Sequence, residues 1–187
     1  MDLFFGFVLL LLAGGMVALF AMVGELASRV GDPASPAPPS TQVEPVEDAR
    51  IGHVPDVWPG GLEVIGTADT AVLLVLSTVC ASCQTVAQQL AQRPDITADR
   101  PWGVVVTCGD VARGEEFVTR YGLGPLPHLL DVNGDWVRAE FNVESSPVAV
   151  LFAHSTVAAT LLFNDVAALN AASARALGGH RHEEVAP

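Results

Sequence analysis

Two cysteines three positions apart, Cys80 and Cys83, are the residues whose type and spacing point most directly to chemistry. Such a pair can cycle between dithiol and disulfide, and it exchanges with other proteins by attack of a thiolate on sulfur, with no metal or organic cofactor. The segment Cys80-Ala-Ser-Cys83 follows at once on the unbroken apolar run Ala71-Val-Leu-Leu-Val-Leu76. That run is too short for a buried helix and suits a strand covered on both faces. After the cysteines, Val86 and Leu90 recur at helical spacing among Gln84, Gln88 and Gln89. Cys80 therefore falls at a helix start, where unpaired N–H groups and the positive end of the dipole favour a thiolate. Cys83, one turn inside, reaches the same sulfur and is expected to be the more buried and less acidic of the two.

Two other readings of the pair compete. Half of a zinc site would need a second pair of ligands at finger or ribbon spacing, and the chain offers only Cys108 with the isolated His128 and His154. Two buried, inert thiols are the other alternative. Cys108 ends a second apolar run and is expected to behave as a small hydrophobe. Glu63 and Asp69 flank the first strand and could relay protons, although a solvated surface role suits each of them better.

The elements that must position the cysteines can be read in order. Trp102-Gly-Val-Val-Val-Thr107 predicts a second buried strand, Val111 to Tyr121 a helix closed by Gly122, and Leu126 to Val132 a strand ended by Asn133-Gly134. Trp136 to Phe141 reads as a short helical piece. Val148 to Phe152 and Val157 to Phe163, joined at His154-Ser155, predict an antiparallel hairpin, and a closing helix runs from the cap candidate Asn164 through Leu177.

Leu3 to Gly24 is a stretch of 22 residues without a charge, long enough to cross about 30 Å of hydrocarbon as a helix. Only Asp2 precedes it, and no small-residue cleavage site follows, so an uncleaved anchor is expected instead of a signal peptide. Asp32 to Pro59 holds seven of the thirteen prolines and reads as an extended linker. The expected divisions are an anchor over 1–27, a linker over 28–59, a folded domain over 60–178 and a flexible tail over 179–187. His180 and His182 in that tail are two ligands, too few to close a metal site. The net charge is −12 and all nine basic residues are arginines, which excludes a nucleic-acid partner for want of basic patches. Arg29 and Arg50 follow the apolar stretch, and the charge rule for membrane helices would place the domain in the cytoplasm, against the oxidising side where disulfides persist.

The order of strand, Cys-x-x-Cys helix, strand, helix, strand, then a proline-led hairpin and final helix resembles the thioredoxin fold, an α/β class with a central mixed sheet flanked by helices. Closer still, the chain is similar to membrane-anchored thioredoxin-like proteins of the MauD branch, relatives of the TlpA and ResA groups. The similarity runs from the anchor through Glu25…Arg29-Val30-Gly31, Leu-Ser-Thr-Val-Cys-Ala-Ser-Cys and Arg120-Tyr-Gly-Leu123 to Phe141-Asn-Val-Glu-Ser-Ser-Pro147. Gln84 departs from a frequent lysine, and Thr78-Val79 from the usual tryptophan. The resemblance implies one transmembrane helix, an extracytoplasmic domain and a role in forming or isomerising disulfides during maturation of an exported or membrane enzyme, with protein dithiols or disulfides as clients. It further implies a cis proline facing the cysteines, either Pro127 or Pro147. Pro147 is chosen because both hairpin strands and the last helix follow it, which makes Ser146 and Pro147 the expected client-binding residues. The alternative function is an accessory subunit that docks on an integral-membrane complex through the same fold.

Overall fold

The computed structural model describes residues 43–183 together with Gly6, Gly15 and Met16, with side-chain environments as far as Gly178. The expected anchor at Leu3–Gly24 therefore lies, apart from three residues, outside the described part. Among the described residues no helix is long and apolar enough to cross a membrane.

The central strand β2, Thr70–Ser77, shows why its sequence is apolar without alternation. Val72, Leu74 and Leu76 point into one core, and Ala71, Leu73 and Val75 into a second core on the opposite face. Both sides are covered, so every position from Ala71 to Leu76 is buried. Parallel to it run β3, Trp102–Cys108, and then β4, His128–Val132. On its other side lie the antiparallel hairpin strands β5, Val148–Ala153, and β6, Thr156–Phe163. The hairpin turn has two residues, and both His154 and Ser155 adopt positive φ, as the right-handed strand twist requires of such a tight loop. The His154 amide is held by the Asp69 carbonyl and the Ser155 hydroxyl by the Gly66 carbonyl.

The sheet contains a strand that the sequence reading placed in the linker. Residues Val43–Pro45 form β1, paired with β6 so that Val43 faces Phe163 and Glu44 faces Leu162, which gives the order β1-β6-β5-β2-β3-β4. The linker boundary at residue 59 is thus corrected. The folded unit already includes Val43, Val46 and Trp58, which pack on the two cores, and proline is tolerated in a short strand on the sheet edge. The following strap is fastened by Arg50 N–H to the Phe141 carbonyl, by the Asn142 amide to the Asp48 carbonyl and by His53 to Glu140 at 2.9 Å.

Five α-helices and a short 3-10 helix, Pro94–Thr97, complete the fold of residues 43–183. Helix α1, Glu63–Thr67, went unnoticed in the sequence because five residues carry no period, and it seats Leu62 and Ile65 on the second core. Just before it, Gly61 has a φ of +96°, and a Cβ there would stand 2.9 Å from the His128 carbonyl oxygen, so only glycine fits. Helix α2, Ala81–Ala91, buries Cys83, Val86, Ala87 and Leu90. Helix α3, Val111–Arg120, is capped by Asp110 and buries Phe117 and Val118. Helix α4, Asp135–Phe141, is the element inserted ahead of Pro147, and the buried Asp131 carboxylate accepts the amides of Trp136 and Val137 at its start.

Helix α5, Val166–Glu183, differs from expectation at both ends. Its capping carboxylate is Asp165, which accepts the Ala168 amide at 2.8 Å, whereas Asn164 was expected in that role. Its last turns run through His180 and His182 to Glu183, so the flexible tail expected over 179–187 is helical as far as residue 183.

Candidate active site

Strand β2 ends at Ser77, and two residues of turn carry the chain to Cys80 at the mouth of α2. The cap of this helix is the sulfur itself. Cys80 has extended dihedrals and its Sγ accepts the Cys83 amide at 3.2 Å, the place usually held by a serine or aspartate oxygen. Cys80 is half-buried and Cys83 fully buried, both as free thiols. One helix N–H thus points at the more accessible sulfur, which is the arrangement that favours sulfur bearing negative charge during exchange.

From the far end of the chain, the segment after α4 brings Ser146 to the same sulfur. The Ser146–Pro147 peptide bond is cis, as expected from the position of Pro147 ahead of the hairpin, and the Cys80 thiol meets the Ser146 carbonyl at 3.5 Å. The β5 register explains the approach: Val148 lies opposite Val75, so the residues just before it stand beside the C-terminal end of β2. Pro127, the other candidate, has a trans bond, and its carbonyl accepts the Val104 amide at 2.9 Å ahead of β4.

No family model matches the chain, and no curated protein matches it. Solved structures do match. DsbF of MTB, in mixed oxidised and reduced forms, superposes with a TM-score of 0.50 at 21% identity, over 68% of this chain and 92% of that one. A secreted thiol-disulfide isomerase from Corynebacterium glutamicum gives 0.51 at 16% identity, over 77% and 95% of the two chains. A thiol:disulfide interchange protein of the thioredoxin family from Chlorobium tepidum TLS gives 0.50 at 16%, over 74% and 97%. The fold is thioredoxin-like.

Within this thioredoxin-like frame the expected site residues fall into two groups. Cys80, Cys83, Ser146 and Pro147 meet at the C-terminal end of β2. Glu63 and Asp69 do not join them. Asp69 stands before the first residue of β2, eight strand residues or roughly 25 Å from the cysteine end, with its side chain 97% exposed near His154. The Glu63 carboxylate accepts the Gly61 amide at 2.8 Å. The suggested proton relay is therefore withdrawn, because a strand crosses the sheet from one pole to the other and adjacency to the strand does not mean adjacency to its end. The polar groups that reach Cys83 are Cys80, Ser146 and Ser77. Ser77 carried no signal in the sequence beyond its place in the strand. Among the described residues no three His, Cys, Asp or Glu side chains converge as metal ligands.

A cleft of about 350 Å³ opens beside the cysteines, lined by Val79, Ser146, Arg113, Arg138, Glu144 and the edge of Cys108 among others. Val79 is 84% exposed and forms its rim. Cys108 is only 5% exposed, and its thiol leans toward the Asp131 carbonyl.

Burial pushes the Cys83 thiol up to about 12, its hydrogen bond to the partner Cys80 adds to the rise, and Ser146 and Ser77 oppose it. Burial, followed by the charges of Asp110 and Asp131, also raises Cys108. Alkylation of the native dithiol protein at neutral pH should accordingly label Cys80 alone, with Cys108 reacting only after denaturation. Mass spectrometry of the labelled peptides checks this, and early labelling of Cys83 would contradict the burial argument. A thiol held above its ordinary 9.0 keeps its proton longer when folded, so its contribution to stability is complete below pH 9 and fades as pH rises toward about 12. The dithiol protein should lose stability across that window, and Cys83→Ala should flatten the loss.

Proposed function

We propose that this chain is a thiol–disulfide oxidoreductase that passes a disulfide between Cys80–Cys83 and cysteines of protein clients. One observation carries the reading: an accessible sulfur that caps a helix, backed by a buried thiol one turn on and faced by the carbonyl that precedes Pro147. In one direction the Cys80 thiolate attacks a client disulfide, releasing one client thiolate and forming a mixed disulfide; Cys83 then gives up its proton and attacks Cys80, releasing the second client thiol. The reverse direction begins with a client thiolate on the Cys80–Cys83 disulfide. Ser146 and Pro147 are read as the edge along which the client lies. The descriptions of the similar structures as a thiol-disulfide isomerase and an interchange protein support this chemistry.

The finer part of the proposal is a protein of the MauD and TlpA-ResA type, tethered by Leu3–Gly24 with its domain outside the cytoplasm and serving the maturation of an exported or membrane enzyme. The fold supports that topology in one respect. Arg50 belongs to the folded strap, bonded to the Phe141 carbonyl, so Arg29 alone lies between the apolar stretch and β1 as a basic residue. The charge bias toward a cytoplasmic domain thereby shrinks to one residue. A reporter fused at the C-terminus should be active only outside the cytoplasm, and activity only inside would reverse the proposal.

Exposed Ile51, Val54 and Val57 on the strap favour a second reading, docking on an integral-membrane complex. Trapping clients with Cys83→Ala in native membranes separates the two: a disulfide-linked exported protein supports exchange, and a stoichiometric partner that survives reduction supports the subunit.

A further inference from the structure

We propose that Glu44 is a specificity determinant of this site and selects client segments that carry lysine or arginine beside the reacting cysteine. The proposal rests on the thiol–disulfide reading above. A hollow of about 150 Å³, separate from the larger cleft, opens on Pro147 and is walled by Leu162, Phe163, Asn164 and Glu44. It lies one residue along the chain from the reacting sulfur's contact, since the carbonyl of Ser146, the residue before Pro147, is 3.5 Å from Cys80 Sγ. Glu44 comes from the edge strand β1, the part of the fold that sequence reading had assigned to a linker. Register places it there: Glu44 stands opposite Leu162, which stands opposite Val148, so one cross-strand row carries a carboxylate to the residue next to Pro147.

Size and chemistry then define the occupant. A volume near 150 Å³ holds about one benzene-sized group, hence a single side chain. Pro147, Leu162 and Phe163 offer apolar contact to a methylene stem, while the exposed carboxylate at the rim offers a partner to a cation at its end. Lysine and arginine have that two-part character. Among the described residues the ion pairs engage carboxylates other than Glu44. The net charge of −12 acts in the same sense at longer range.

The test uses the full chain in detergent, in its dithiol form, and three disulfide-linked peptide dimers that differ only in the residue beside cysteine: arginine, alanine or glutamate. Each turnover oxidises the cysteine pair and releases two peptide thiols, which are counted by a colorimetric thiol reagent. The arginine peptide should react roughly two- to fivefold faster than the alanine peptide, the size of a solvent-exposed ion pair, and the glutamate peptide more slowly than either. High salt should compress the series. Glu44→Gln should remove the arginine preference, whereas Asp56→Asn, an equal change of net charge outside the hollow, should keep it. A preference that survives Glu44→Gln overturns the assignment in favour of overall charge. Equal rates for all three peptides overturn the proposal and leave the exchange reading standing; no reaction with any of them brings down both.

Discussion

Cys80→Ser abolishes disulfide exchange, whereas Cys83→Ala leaves the first attack intact and halts the reaction as a mixed disulfide between Cys80 and its client. The asymmetry follows from access and order of events. Cys80 is the half-exposed sulfur that meets the helix N–H, and a serine hydroxyl in its place has no disulfide chemistry, so the rate should fall to that of the uncatalysed exchange. Cys83 is completely buried and holds its proton to about pH 12, so it takes no part until the client sulfur is already bonded to Cys80. Non-reducing electrophoresis should show the trapped adduct for Cys83→Ala and none for Cys80→Ser. Exchange that persists in Cys80→Ser, or an adduct that maps to Cys108, would remove Cys80 from the centre of the mechanism.

Phe152→Ala is expected to cost about 3–5 kcal/mol of stability, the range for a large aromatic deleted from a packed core. Phe152 is fully buried in β5, and its ring packs edge-on to Trp58 at 5.2 Å and to Phe141 at 5.8 Å. Trp58 and Phe141 in turn contact Trp136, so the cavity would open among the three remaining rings, contributed by the strap and α4. For a domain of this size the melting temperature should drop by roughly 10–15 °C. Phe152→Leu, which keeps most of the volume, should lose about 1.5 kcal/mol or less. Thermal unfolding followed by tryptophan fluorescence measures both. A Phe152→Ala protein that melts with the wild type would show that the strap and α4 do not share the core described here. Since α4 leads into the segment that ends at Ser146, this variant should also slow exchange before it unfolds.

Much of the site was legible because its signals are local. The run Ala71–Leu76 could only be a strand covered on both faces, and a Cys-x-x-Cys directly behind it had to sit at a helix mouth. Pro147 could be chosen over Pro127 by counting the elements that follow. The hairpin turn at His154-Ser155 was found from its flanking runs even though those residues are poor fits to positive φ. Other features left no local trace. Three residues, Val43–Pro45, have too little pattern to declare a strand, and the prolines around them have the composition of a linker. Trp58 gives no hint of its two ring partners, Trp136 and Phe152, and Glu63 and Asp69 looked close to the site only because sequence distance along a strand hides which end is meant.

The sequence by itself determined the strand–turn–helix around the cysteines, the two strands that need two-sided burial and the placing of Pro147 before the hairpin, because hydrophobic period and covalent spacing act over a few residues. Only the tertiary structure decided that Ser146, 66 residues from Cys80, turns its carbonyl to that sulfur, and that Glu44 stands on the wall beside Pro147. Those facts depend on strand order and register. They arise when residues far apart in the chain bury one another, and no stretch of the sequence contains both partners.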